Sequence, residues 1–150
     1  LYELRKYLLD EPFILTTVDT IFDEQAFSSY VSTFRERLHQ GVDALMGVTD
    51  YIDDEKPLYV STDSQLHVTG YYDHAQPDTQ YVSAGIYGLT PSTLSILDDC
   101  IAKGLHRMRN FQRALVAGEL RVEAYPLSKV FDIDHASDIK KAEEYLNKRL

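Results

Sequence analysis

The sequence predicts an α/β protein of three layers, with a mostly parallel sheet, helices on its faces and a small antiparallel β excursion. Three observations lead there. Hydrophobic runs short enough for strands alternate with amphipathic helical patterns at both ends of the chain. The run Phe13–Val18 stops abruptly at Asp19, as a buried strand does at the carboxyl edge of an open α/β sheet, where such sheets place their ligands. Between the two ends, residues 50–80 change to short β-prone runs divided by polar turn residues.

A chain of 150 residues, 44% of them hydrophobic, supplies one core, so residues 1–150 are read as a single domain. Its formal net charge of -9 argues against nucleic-acid or anionic-membrane binding, because both draw on clustered Lys and Arg. A phosphorylated ligand would need help from a cation or a local backbone site. The lone cysteine, Cys100, cannot form an intrachain disulfide and falls within a helical pattern, which predicts core packing and a reducing compartment, the cytoplasm. No apolar run approaches the roughly 18 residues of a membrane span. Leu1 stands in place of Met and already inside a helical pattern, so the natural amino terminus is expected upstream and the fold incomplete at that end.

Taken in order, Leu1, Leu4, Leu8 and Leu9 share one helical face and Pro12 closes the segment, which predicts the tail of an amphipathic helix. The strand Phe13–Val18 follows. Phe27, Tyr30, Val31, Phe34 and Leu38 are spaced i, i+3, i+4, i+7, i+11, a helix for Asp23 to cap and Gly41 to end. Ala44–Val48 reads as a second buried strand, a parallel neighbour of the first through a right-handed crossover. Leu58–Val60 is expected to pair with Leu66–Thr69 across a Thr62-Asp63-Ser64 turn, and Asp53, Asp54 and Glu55 to form a solvated loop. Tyr81–Leu89 is a strand in which Gly85 marks a bulge or a close ligand approach. Thr90-Pro91 should open a helix buried along Leu94, Leu97 and Ile101, and a further helix spans Met108–Ala117. Leu120–Tyr125 and Val130–Ile133 are strands, and the last helix buries Ile139, Ala142 and Leu146.

Two strands thus deliver carboxylates where they stop, Asp19 from one and Asp132, with Asp134 on the opposite face, from the other. Carboxylates converging from separate strands make a hard oxygen site suited to Mg²⁺, which takes one or two of them and completes its shell with water and substrate phosphates. Any single Asp is better read as a helix cap or turn former, since Asp134 or Asp138 suits the start of the last helix. The pair as a unit carries more weight.

At this point LYELRKYLLDEPFILTTVDTIFDEQAF resembles the central segment of the nucleotidyltransferases that activate sugar phosphates and related compounds, in which a strand ends in a metal-binding Asp. YVSAGIYGLTPSTL resembles that family's acceptor-pocket strand, and VFDIDHASDIKKAEEYL is similar to its closing signature with a second metal-binding Asp. The three stretches stand in family order. The resemblance implies a Rossmann-like fold, Mg²⁺ held by Asp19 and Asp132 with Asp134 in support, and Ser83 and Gly85 facing the acceptor. The implied reaction is attack by a substrate phosphate on the α-phosphorus of a nucleoside triphosphate, with release of pyrophosphate. The glycine-rich loop that opens family members has no counterpart: the seven glycines are scattered. This 150-residue piece alone is therefore expected not to turn over. His135-Ala136 replaces the usual Thr-Pro, and Val18 precedes Asp19 where Gly is frequent.

The other conspicuous residues have plainer explanations. His39, His67, His74, His106 and His135 lack metal-ligand spacing and are expected in loops or at the surface. Arg107, Arg109 and Arg113 are within reach of a phosphate if they share a helix, though solvated helix charges are commoner. The tyrosines suit core edges as well as stacking on a sugar or base. Two other readings stay open. One is a non-catalytic regulatory or oligomerisation module on the same fold, and the other a glycosyltransferase, which typically carries Asp-x-Asp at the first strand where Asp19 and Asp23 are four apart. Which nucleotide, which acceptor and whether a homo-oligomer forms are not encoded in these patterns.

Overall fold

The computed structural model describes residues 1–52, 56–128, 130–133 and 136–147, and of Phe131, Asp132, Ser137, Lys141, Tyr145 and Leu146 the backbone alone. Its strands are β1 (Phe13–Thr16), β2 (Thr20–Ile21), β3 (Ala44–Thr49), β4 (Tyr59–Thr62), β5 (Val68–Tyr72), β6 (Tyr81–Leu89), β7 (Val122–Leu127) and β8 (Phe131–Asp132). The helices are α1 (Glu24–His39), α2 (Thr93–Ala102), α3 (Met108–Ala117) and α4 (Ala136–Asn147). The opening segment Tyr2–Tyr7 is a 3₁₀ helix rather than the expected α-helical tail. Leu4 N to Leu1 O and Leu8 N to Arg5 O, both 3.0 Å, are its i to i−3 bonds, and so short a segment gains little from α-helical propagation.

The main sheet has the order β5-β4-β6-β3-β7, with β1 added along β6. Its direction departs from expectation. Among the described strands only β3 and β7 pair in parallel; β1–β6, β3–β6, β4–β6 and β4–β5 are antiparallel. Because β1 and β3 both oppose β6, they run the same way, as a crossover through α1 requires, but β6 is inserted between them. An apolar run reads the same in either direction, so its direction is set by what pairs with it and not by its composition. β1 is also half-buried rather than enclosed on both faces, and it ends at Thr16, leaving Val18 fully in solvent.

Local signals explain the helices. Asp23 accepts from Ala26 N at 2.7 Å and caps α1, and Gly41, at φ 79°, turns the chain out of it. Thr90-Pro91 does not start α2 but forms the turn before it, with Thr93 N donating to Thr90 O at 3.0 Å. α3 has the expected bounds. β7 lies two residues later than expected, and in α4 Ala142 is buried while Ile139 is 48% exposed.

Alternation along the strands divides the core between the two sheet faces. Leu45, Ala84, Ile86 and Leu127 pack under Tyr30 and Phe34 of α1. Ala44, Met46, Val48, Tyr87, Leu89, Val122 and Ala124 pack with Leu94 and Leu97 of α2, Phe111 and Leu115 of α3, and Val60 and Tyr71 of the β4–β5 hairpin. Close approach of α1 depends on Gly88, where a Cβ would stand 2.8 Å from the Phe34 ring. The Tyr30 hydroxyl donates to Leu45 O at 2.6 Å, and burial pushes its ionisation well above the ordinary tyrosine range.

The hairpin is closed by a longer turn than expected, Asp63 to His67, whose tip reaches the far edge of the sheet. Leu66 O accepts from Ala124 N at 2.8 Å, which places His67 beside the buried Glu123. Glu123 interrupts the alternation expected of β7, and its burial is offset by Arg121 Nη2 at 2.7 Å, Arg37 Nε at 3.5 Å and His67 Nε2 at 3.8 Å. Asp63 organises the turn, accepting from Gln65 N (2.8 Å) and His67 N (2.9 Å) while pairing with His67 Nδ1 (2.8 Å). The bond from His67 holds the Asp63 carboxyl below the usual carboxylate range. Between the lowered folded value and the ordinary unfolded one the unfolded state binds more protons. The resulting stabilisation is therefore complete above about pH 4 and lost as pH falls through the folded value. In urea titrations, Asp63→Asn should be less stable than wild type at pH 6, with the deficit shrinking at pH 3. An equal deficit at both pH values would count against electrostatic pinning of the tip.

Candidate functional site

The site begins with how β6 is shared. Its carboxyl half pairs with β1, from Phe13↔Leu89 to Thr16↔Ile86, and its amino end pairs with β4 at Tyr59↔Val82 and Val60↔Tyr81. Between these partners lies Ser83–Gly85, held at its ends by Ser83 N donating to Leu58 O (2.9 Å) and Thr17 N to Gly85 O (3.0 Å). On the other edge the register with β3 slips, Met46↔Tyr87 being followed by Val48↔Ser83, which is a bulge in β6 centred on Gly85. Gly85 adopts φ 70°, and a Cβ there would stand 2.6 Å from Thr17 Oγ1 and collide with Thr20 Oγ1. The bulge expected of this glycine is present, and it lets the Thr17–Thr20 turn rest directly on the strand.

That bulge is the floor of a cleft of about 250 Å³. Thr17 and Asp19 line one side, Lys56 and Leu58 the segment entering β4, and Arg107, Met108, Arg109 and Gln112 the start of α3. Asp19 is exposed, and its carboxylate makes no side-chain hydrogen bond or ion pair among the described residues. Arg107, also exposed, has no side-chain partner among them either. Arg109 is held by Asp73 and by Lys56 O at 3.3 Å. Deeper in, Gln112 is 2% exposed; its Nε2 donates to the Tyr87 hydroxyl at 3.2 Å, and its Oε1 is buried without a hydrogen-bond partner among the described residues. The cleft therefore sets the Asp19 carboxylate and several cations around the Ser83–Gly85 bulge, an arrangement suited to an anionic, metal-associated ligand.

Asp19 thus lines one cleft with Ser83 and Gly85, which follow it by 64 and 66 positions in the chain. Asp132 is brought to the same edge by its backbone: β2 pairs with β8 through Thr20↔Asp132, and Ile133 N donates to Asp19 O at 3.0 Å. Asp134 and His135 lie outside the described residues, as do Asp53, Asp54 and Glu55. Among the described residues no group of three or more His, Cys, Asp or Glu is gathered as a metal cluster. Mg²⁺ needs only one or two carboxylates, and the exposed Asp19 carboxylate, with no side-chain partner among the described residues, has the chemistry of one such donor. Of the two readings open for Arg107 and Arg109, phosphate contact or solvated helix charge, their place in the cleft favours the first, and Lys56 carries no sequence signal at all. The available signal is the density of arginines at 107, 109 and 113, but the meeting of Arg107 and Arg109 with Asp19 in one cleft is purely tertiary. Cys100 is buried, and no helix among the described residues is long and apolar enough to cross a membrane.

No protein-family model and no curated protein matches the sequence. Solved structures do match. The inositol-1-phosphate CTP transferase from T. maritima aligns with a TM-score of 0.74 at 18% identity, over 95% of this chain and 58% of that one. The chain has the nucleotidyltransferase fold. A putative glucose-1-phosphate thymidylyltransferase from Bacillus anthracis, in complex with a sucrose, gives a TM-score of 0.76 at 15% identity over 96% of this chain and 58% of that one. The UTP-bound UGPase from Acinetobacter baumannii gives 0.74 at 14% identity over 99% and 55%. At such identities the likeness is one of fold, and the chain spans 58% of the length of the first two of these enzymes.

The bulge and the cleft stand or fall together. Gly41→Ala, where the added Cβ meets open space, should lose about 1 kcal/mol for its left-handed backbone alone. Gly85→Ala should lose a further 1–3 kcal/mol or so, because the same strain is joined by overpacking against Thr17 and Thr20. Equal losses in urea denaturation would show that the turn yields and that Gly85 does not define the floor.

Proposed function

We propose that this chain is the metal- and acceptor-binding part of an Mg²⁺-dependent nucleotidyltransferase, which joins a nucleoside triphosphate to a sugar phosphate or related phosphate acceptor. One observation carries the reading: Asp19, Ser83 and Gly85 line the same cleft as Lys56, Arg107 and Arg109, inside a nucleotidyltransferase fold. The UTP and sucrose named for two structures of like fold are in keeping with a nucleotide and a carbohydrate as substrates.

In this reading an oxygen of the acceptor phosphate attacks the α-phosphorus of the triphosphate. A new P–O bond forms there, the bond to the oxygen bridging toward the β-phosphorus breaks, and pyrophosphate leaves with that electron pair. No covalent enzyme intermediate is needed, so rate comes from positioning and charge neutralisation. Asp19 and Asp132 would hold Mg²⁺, with Asp134 in a supporting role; when bound, the ion neutralises charge on the transferred group. Arg107 and Lys56 bind the acceptor phosphate on the opposite wall. Ser83 and the Gly85 backbone border the floor on which the body of the acceptor rests.

The test is pyrophosphate release by the full-length protein with Mg²⁺, each of the four NTPs and a panel of sugar phosphates. Asp19→Asn and Asp132→Asn should each lower kcat by about 100-fold or more. Arg107→Ala should raise the KM of the acceptor about tenfold with little change in that of the NTP. Full activity in both aspartate variants would remove the metal assignment. No release with any pair of substrates, from a folded protein, would favour the non-catalytic module instead.

A further inference from the structure

The wall of the cleft opposite Asp19 is built from two elements, and one carboxylate joins them. Lys56 and Leu58 lead into the β4–β5 hairpin, whereas Arg107, Met108, Arg109 and Gln112 belong to the start of α3. Asp73, directly after β5, takes Arg109 on Oδ1 and Arg113 on Oδ2, the latter at 2.8 Å. Each guanidinium has a second hold on the hairpin: Arg109 Nη2 donates to Lys56 O at 3.3 Å, and Arg113 Nε to Tyr71 O at 3.2 Å. Arg109 and Arg113 are one helical turn apart, so a single acid grips one face of α3 from the open end of the hairpin.

The two guanidiniums hold the Asp73 carboxyl below the usual carboxylate range, with Arg113 first and Arg109 second. All three side chains are partly exposed, at 49% for Asp73, 32% for Arg109 and 34% for Arg113. An ion pair so exposed contributes little to global stability. Its effect is on geometry: it ties the Lys56 side of the cleft to the Arg109 side. Arg109 and Lys56 also line a neighbouring cleft of about 430 Å³, with Tyr59, Asp73 and His74, so the clasp stands at the boundary of both spaces.

Resting on the phosphate-binding role given above to Arg107 and Lys56, we propose that Asp73 is a positioning residue. It fixes the hairpin against α3 through Arg109 and Arg113, and so sets the width of the cleft that receives the acceptor phosphate. Asp73 does not touch the reacting atoms, and its removal leaves the carboxylates of the metal site in place.

The probe is inorganic phosphate, titrated into the full-length protein without nucleotide and followed by NMR of the arginine Nε–H groups. In wild type, phosphate should shift Arg107. In Asp73→Asn the affinity should fall about tenfold, and the Arg109 and Arg113 signals should lose their dispersion. Asp98→Asn removes a comparable exposed pair, with Arg5 at 2.7 Å, away from the cleft, and should change neither. Asp73→Glu, which keeps the charge, should recover part of the affinity. In turnover, Asp73→Asn should raise the acceptor KM by the same factor while kcat and the KM of the NTP stay within about twofold. Phosphate affinity equal in Asp73→Asn and Asp98→Asn, or no phosphate binding by wild type, overturns the proposal. A normal phosphate response in a protein that releases no pyrophosphate overturns the nucleotidyl-transfer reading and leaves the role of Asp73 standing.

Discussion

Everything in this molecule depends on β6 having partners on both edges without being fully paired on one of them. Hydrogen bonding to β3 along one edge and to β1 and then β4 along the other makes it the central strand. Where β1 has left and β4 has not quite begun, Ser83–Gly85 keeps a stretch of backbone that neither strand covers. The bulge at Gly85 widens that break and admits the Thr17–Thr20 turn, from which Asp19 emerges. A continuous ladder there would extend β1 across the floor and remove the cleft. The site is thus a consequence of strand accounting, with the polar side chains placed around a gap that the backbone already defines.

The same arrangement explains which parts of the fold were legible in the sequence. α1 was readable because its spacing, its Asp23 cap and its Gly41 exit are local signals that agree. β6 and α3 were readable within their bounds for the same reason. Strand direction was not, since β1 and β3 are short apolar runs whose composition fits either orientation, and the insertion of β6 from forty residues downstream is invisible locally. Glu123 shows the same limit from the other side. An alternating strand predicts it exposed, and only the arrival of the hairpin tip, with Arg37, Arg121 and His67 converging, makes its burial tolerable.

The candidate site divides along the same line. Asp19, Ser83 and Gly85 could be singled out because each sits at an irregularity of its own strand: an abrupt end, a small-residue interruption, a glycine in a β run. Lys56, Arg107 and Arg109 sit in stretches that are regular for exposed segments, and only the fold sets them in the same cleft as Asp19. Asp73 was wholly silent, because its partners are 36 and 40 positions away and nothing in its own neighbourhood calls for a carboxylate.

Net charge also looks different once the chain is folded. A formal charge of -9 argued that a phosphorylated ligand would need local help. Of the 15 basic residues, Lys56, Arg107 and Arg109 line one cleft, with Arg113 tied to the same acid as Arg109. At physiological salt an exposed charge is screened over about 8 Å, so a ligand in the cleft responds to these few groups far more than to carboxylates spread over the rest of the surface. Against the acidic balance of the whole chain, this wall of the cleft is locally cationic. Asp73 sharpens that contrast. By occupying Arg109 and Arg113 it leaves Arg107 as the cleft guanidinium with no side-chain partner among the described residues, so the positive charge of the cleft is directed rather than diffuse.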